Sequence, residues 1–115
     1  CGQFNYASCE AIAREIFHLD CSERPTAIAA ASDQQAIGAI RAATDMGVSV
    51  PGEVSVIGFD DIVLADLLAP RLTTIREPVH EMVIEALDQI LGSDDSICNR
   101  RYMGELIVRH TTIAV

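Results

Sequence analysis

The fold is indicated most strongly by the run Val54-Ser55-Val56-Ile57-Gly58-Phe59-Asp60-Asp61. Its apolar and β-branched residues predict a buried strand over 54–59, preceded by a turn over 50–53. Two acidic residues follow the strand directly. A strand that delivers polar groups at its carboxyl end is typical of open α/β sheets, in which ligands bind at that edge.

The residues before this strand predict the order helix, strand, helix. Apolar residues recur mostly every three to four positions from Ser8 to Leu19, which predicts an amphipathic helix. The apolar run 27–31 predicts a short strand covered on both faces. Ser32, with Gln35 three positions later, forms a capping-box pattern, so a second helix begins there and extends to about Met46.

The residues after it predict two more strands and a long helix. We expect strands over 72–76 and 105–109. Pro78 opens a helix with a regular apolar stripe, which ends at Gly92. With few aromatic residues and many aliphatic ones, this pattern predicts an α/β fold of helices layered on a mostly parallel sheet.

Composition limits the classes of partner. The 115 residues are half hydrophobic, enough for one compact domain. Eight Lys and Arg against seventeen Asp and Glu give a formal charge of -9, which argues against direct contact with a nucleic acid backbone. No apolar run reaches the roughly 18 to 20 residues that span a bilayer, so we expect no membrane role.

Cysteine usage indicates a reducing compartment. Cys1, Cys9, Cys21 and Cys98 are irregularly spaced, and no C-x-x-C pair is present. We expect reduced thiols, a cytoplasmic location, no metal site and no cofactor, although the even number of cysteines leaves disulfide bridges open.

Polar side chains follow three of the predicted strands. They are Ser32-Asp33, Asp60-Asp61 and Glu77. Their hydroxyl and carboxylate groups are suited to bind a polyhydroxylated ligand such as a sugar or nucleoside. Structural roles are equally open, because Ser32 can be a helix cap and Asp61 can be the N-cap of the following turn.

An enzymatic function has little support. The sequence contains no G-x-S-x-G, Walker, H-E-x-x-H or G-x-G-x-x-G motif. Asp60 and Asp61 are adjacent in sequence, and neighbouring strand residues point to opposite faces, so they cannot act as a facing acid and base. We therefore expect a binding protein.

The ordered motifs resemble the lactose-repressor-like (LacI/GalR) family of transcription regulators. The resemblance implies a periplasmic-binding-protein-like fold of type I, with two three-layer Rossmann-like lobes, helices on both faces of each sheet and an effector between the lobes. It also implies a separate amino-terminal helix-turn-helix that binds DNA. The motifs are Pro25-Thr26-Ala27-Ile28, Ser32-Asp33-Gln34, Ala36-Ile37-Gly38-Ala39, residues 50–61, Pro70-Arg71-Leu72-Thr73-Thr74-Ile75 and Leu106-Ile107-Val108-Arg109.

By position, the resemblance implies four ligand-binding residues. Asp60 matches a carboxylate that binds the hydroxyls of the effector, and Ser32 matches a position often occupied by Asn. Phe4 matches an aromatic that packs on the ligand, and Glu77 lies at a further pocket position. Ser for Asn shortens one hydrogen-bonding group, so the effector of better-studied relatives does not carry over. Asp33 is assigned to structure, bracing the start of the helix.

The resemblance also divides the chain between lobes. Residues 1–78 and 103–115 correspond to an incomplete carboxyl-terminal lobe, residues 79–102 belong to the other lobe, and the DNA-binding domain is absent. We expect a homodimer or exchanged oligomer, because the apolar stripe of 79–91 would otherwise lack a partner. The family also pairs near Ile37, Leu67 and Leu68. The alternative is a solute-binding protein for sugar transport, which shares the fold.

Overall fold

Helices and strands alternate along the chain. The computed structural model describes residues 5–92 and 99–114. The elements in chain order are α1 Tyr6–Phe17, β1 Ala27–Ala29, α2 Asp33–Asp45, β2 Ser55–Ile57, α3 Val63–Leu67, β3 Thr74–Arg76, α4 Val79–Leu91 and β4 Glu105–Ile107. This order confirms the predicted α/β class.

The strands lie side by side in the order in which they occur. β1 and β2 are parallel, and a single parallel bridge links the end of β2 to the residue before β3. β3 and β4 are antiparallel, so the chain leaves the sheet after β3 and returns through β4. The paired residues include Ala27 with Ser55, Ile57 with Thr73, and Thr74 with Ile107.

The core forms around α2 and β2. Val54, directly before β2, and Val56, within it, are fully buried. One apolar cluster joins α1, α2 and Val54, and a second joins α2, Val56, α3 and Leu72. α2 lies between the two clusters and presents mostly small residues to them: Ala36, Ala39, Ile40, Ala42 and Ala43. Small side chains allow α2 to lie close both to α1 and to the sheet.

Several local predictions are wrong, and all four strands are shorter than predicted. α1 begins at Tyr6 rather than Ser8 and ends at Phe17, because the Asn5 side chain accepts a hydrogen bond from the Ser8 amide and caps the helix earlier. β1 is not covered on both faces, since Ala27 and Ala29 are exposed and Ile28 is half-buried. β2 covers one edge of β1, and no described strand pairs with the other edge.

α4 begins and ends where the sequence predicts, after Pro78 and before Gly92. None of its residues is buried. Glu85 of α4 accepts hydrogen bonds from the Arg100 side chain and the Tyr102 hydroxyl, two residues that precede β4. The hydrogen bond from Tyr102 and, to a smaller extent, that from Arg100 lower the pKa of Glu85.

Over residues 5–92 and 99–114, no helix combines the length and apolar character needed to cross a membrane.

Candidate functional site

The ends of three neighbouring strands meet at one edge of the sheet. The Asp33 amide donates to the Phe59 carbonyl (2.7 Å), which joins the end of β1 to the end of β2. The Asp60 amide donates to the Ile75 carbonyl (2.9 Å), which joins β2 to β3. The predicted residues Ser32, Asp60 and Glu77 therefore follow three adjacent strands. We call these three residues the strand-end site.

Ser32 is the N-cap of α2, so its structural interpretation is correct. Its Oγ accepts a hydrogen bond from the Gln35 amide (3.3 Å). The Gln35 side chain reaches back to the Ala31 amide (3.1 Å), one residue before the position expected for a capping box. The cap uses the Ser32 oxygen as an acceptor, and a hydroxyl also carries one donor. Capping α2 and donating to a ligand are thus compatible roles.

Asp60 combines an unusual backbone with an exposed side chain. Its φ is 113°, in a region that residues other than glycine rarely adopt. Among residues 5–92 and 99–114, its carboxylate has no hydrogen-bond or ion-pair partner. A carboxylate held in a strained conformation without a protein partner is available to accept hydrogen bonds from a ligand.

Asp61 is not the N-cap of the following turn. The N-cap of α3 is Ile62, and the Asp61 carboxylate instead pairs with two arginines, at 2.7 Å from Arg76 Nε and 2.7 Å from Arg109 Nη2. Burial raises the pKa of Asp61, but the hydrogen bonds from Arg109 and Arg76 outweigh burial and leave its pKa below the usual value. Asp61 is therefore a charged, structurally committed residue.

Asp33 has the structural role that was predicted. Its side chain is fully buried and accepts hydrogen bonds from the Thr74 hydroxyl and from the Ile62 amide (2.9 Å). The two carboxylate oxygens thus tie the start of α2 to β3 and to the segment after Asp61. A buried charge needs such partners, because its desolvation is otherwise very costly.

Glu77 lies in a cavity separate from the other two strand-end residues. This cavity, of about 360 Å³, is lined by Arg76, Glu77, Pro78, Val79, His80, Glu81, Met103 and Glu105. Neither Ser32 nor Asp60 lines it. Glu77 lines this cavity and shares the edge of the sheet with Ser32 and Asp60, and Phe4 lies outside the described residues.

Arg76 and Arg109 are the site residues that sequence reasoning missed. Arg109 is also bound to the Leu72 carbonyl (2.8 Å) and lies 3.3 Å from Asp66, and Arg76 lies 3.4 Å from Glu105. Arg109 closes one of the quoted motifs, but nothing in the local sequence pairs it with an acid 48 positions earlier.

The residues predicted for dimerisation differ in exposure. Leu67 is 72% exposed at the end of α3. Ile37 and Leu68 are half-buried, and Leu68 packs against the second apolar cluster. Of the three, Leu67 presents the most apolar surface to a partner.

The described residues thus form an α/β lobe with hydrogen-bonding side chains near the ends of its strands. Residues 4–112 match the family described as the periplasmic binding protein-like domain, and the chain belongs to this family. The relatives with curated names are transcription regulators, as the motifs predicted. One is the HTH-type transcriptional regulator MalR of Streptomyces coelicolor, 42% identical over 107 residues, covering 90% of this chain and 30% of that protein.

Solved structures give the same result. The Escherichia coli transcriptional repressor ascG is 35% identical, with a TM-score of 0.82 over 98% of this chain and 41% of that one. A LacI family regulator from Lactobacillus casei, solved with bound sucrose, is 27% identical, with a TM-score of 0.80 over 94% of this chain and 41% of that one. This chain spans about three-tenths of the length of the curated relatives.

Proposed function

We propose that this chain is part of the effector-binding domain of a transcription regulator and that its effector is a sugar. The exposed Asp60 carboxylate carries the proposal, because it stands without a described protein partner at the end of a strand. Ser32 and Glu77 follow the adjacent strands and supply further polar groups. Sucrose bound to a structural relative supports a sugar as the class of effector.

Regulation is favoured over transport. Curated relatives include HTH-type transcriptional regulators and an arabinose metabolism transcriptional repressor. We propose that DNA is bound by a separate helix-turn-helix domain in the cytoplasm, since this chain carries a formal charge of -9. The chain then senses the effector and catalyses no reaction.

The path of the chain supports its division between two lobes. It leaves the sheet after Arg76 and returns at Glu105, which pair with each other in adjacent antiparallel strands. α4, between these two crossings, has no buried residue. We propose that residues 1–78 and 103–115 belong to the carboxyl-terminal lobe, which forms one side of the cleft, and that residues 79–102 belong to the other lobe.

Dimerisation is proposed for the surface that contains Ile37, Leu67 and Leu68. Leu67 leaves most of its side chain in solvent, and Ile37 lies on α2, which packs against α3 through the second apolar cluster. Effector binding between the lobes would favour one arrangement of such a dimer and thereby change its affinity for DNA.

Thermal unfolding of the complete gene product tests the effector site. With sucrose, glucose, arabinose or a nucleoside at ~100 times its dissociation constant, we expect stabilisation by ~2.7 kcal/mol. Asp60→Asn should abolish that gain, because the amide removes the ionised acceptor without changing the size of the side chain.

Asp20→Asn is the matched control, since Asp20 is exposed and far from the strand ends. It should retain the full response. A response in Asp60→Asn equal to that of the parent would contradict the assignment of Asp60, and the absence of any response in the parent would contradict the proposed class of effector.

A further inference from the structure

We propose that Asp61 is a positioning residue for effector binding: together with Arg76 and Arg109 it holds the backbone conformation that leaves the Asp60 carboxylate free. The inference rests on the proposed function, because it assigns the residue that prepares Asp60 for its ligand. Asp61 itself is committed to the two arginines and does not contact the effector.

The backbone at this point needs external support. Asp60 has φ 113° and Asp61 has φ 55°, so two successive residues other than glycine lie in the left-handed region. Such conformations cost of order 1–3 kcal/mol each and persist only where surrounding contacts determine them. Contacts made by residues 60–62 must therefore hold the segment.

Three consecutive residues supply these contacts. The Asp60 amide donates to the Ile75 carbonyl (2.9 Å), and the Ile62 amide donates to the buried Asp33 carboxylate (2.9 Å). Between them, Asp61 is anchored through both oxygens, each 2.7 Å from an arginine nitrogen. The segment is thus fixed by two backbone bonds and one doubly bound side chain.

The two arginines are themselves held by the sheet. Arg109 donates to the Leu72 carbonyl through Nη1 (2.8 Å), and its amide donates to the Thr73 hydroxyl (2.9 Å). Arg76 is the last residue of β3 and lies 3.4 Å from Glu105 on β4. Asp61 therefore links the backbone next to Asp60 to the last residue of β3 and to the segment that follows β4.

The partners of the two acids differ in a way that separates their roles. The Asp61 side chain is 8% exposed and has two cationic partners. Asp60 is exposed and has none among residues 5–92 and 99–114. Asp61, whose two oxygens are both bound by arginines, can fix the backbone, while the neighbouring Asp60 carboxylate stays free to bind a ligand.

Asp61→Asn in the complete gene product tests the proposal. Asn fits the same volume and tolerates a positive φ, so the change removes the charge and leaves the backbone allowed. Asp66→Asn is the matched control, because it removes a carboxylate 3.3 Å from the same Arg109 without touching residues 60–62.

Amide hydrogen exchange gives a measurement that needs no ligand. In Asp61→Asn we expect the Asp60 and Ile62 amides to exchange about tenfold faster, the scale of a lost contact between coupled neighbours. The Val56 amide, bound to the Thr111 carbonyl, should be unchanged. Unchanged exchange at Asp60 and Ile62, or faster exchange at Val56 as well, would overturn the positioning role.

Titration with sucrose, glucose and arabinose gives the functional measurement. For the sugar that stabilises the parent, Asp61→Asn should weaken affinity about tenfold, and Asp66→Asn should leave it unchanged. Parental affinity in Asp61→Asn, or an equal loss of affinity in Asp66→Asn, would overturn the inference. If no sugar binds the parent, the proposed function fails, and hydrogen exchange alone decides the role of Asp61.

Discussion

At the scale of single residues, the junction behind the strand-end site depends on a buried carboxylate and on the glycine beside it. Asp33 is fully buried and bridges α2, β3 and the Asp61–Ile62 segment. A Cβ at Gly58 would lie 2.1 Å from Asp33 Oδ1 and 3.0 Å from a Leu72 methyl. Because glycine has no Cβ, the Asp33 carboxylate fits beside residue 58 and keeps its hydrogen bonds to Thr74 and Ile62.

Gly58→Ala should destabilise the chain by about 2 kcal/mol or more, because overpacking at a buried position displaces a hydrogen-bonded carboxylate. The measurement is the free energy of unfolding in urea. Gly52→Ala is the control, since its Cβ would meet only the exposed Ser49 side chain, which can rotate away. A Gly58→Ala chain as stable as the Gly52→Ala chain would contradict this account.

At the scale of elements, close packing of α1 against α2 depends on one glycine. A Cβ at Gly38 would lie 2.5 Å from the Tyr6 carbonyl oxygen and 3.1 Å from the Glu10 amide nitrogen. Both atoms belong to the backbone of α1, so no side-chain rotation relieves the contact. The helices are further joined at their ends, where Arg14 of α1 pairs with Asp45 of α2.

Gly38→Ala should reverse the usual effect of this substitution. In an exposed helix interior, Ala stabilises relative to Gly by roughly 0.5–1 kcal/mol. Here we expect a loss of about 1–3 kcal/mol in the free energy of unfolding, because α1 must move away from α2. Gln34→Ala, at an exposed position of the same helix, should be nearly neutral. A gain in stability for Gly38→Ala would refute close backbone packing.

At the scale of the whole molecule, α4 leaves a broad apolar stripe exposed to solvent. Its apolar side chains are between 37% and 80% exposed: Val79, Met82, Val83, Ile84, Leu87, Ile90 and Leu91. A contiguous exposed apolar surface on a helix favours association. The acidic residues Glu81 and Asp88 are also exposed.

The 115-residue chain should associate through α4 at micromolar concentration. Replacing Val83 and Leu87 together with Gln should shift sedimentation velocity toward the monomer, because the substitutions remove apolar area from the middle of the stripe. Glu81→Gln with Asp88→Asn is the matched control and should leave the parent distribution unchanged. A parent chain that sediments only as a monomer would exclude association through this helix.

Local sequence signals predict the order and type of every element except α3, and the edge of the sheet at which the strand-end site lies. These features follow from local signals, namely apolar periodicity, the Ser32 cap and the Pro78 and Gly92 boundaries, which act over a few residues. Asp60 could be selected because it directly follows the predicted strand 54–59. The early start of α1 was missed, since the Asn5 cap competes with a helix-compatible pattern beginning at Ser8.

Tertiary contacts, rather than local sequence, determine that the Asp60 carboxylate is free and the Asp61 carboxylate is bound. The partners of Asp61 lie 15 and 48 positions away, and the carboxylate of Asp33 meets Thr74 across 41 positions. Such pairs form when strands align in a sheet, and no periodic pattern encodes them. The exposure of Ala27 and Ala29 was likewise decided by the fold, because burial depends on which neighbours cover a strand.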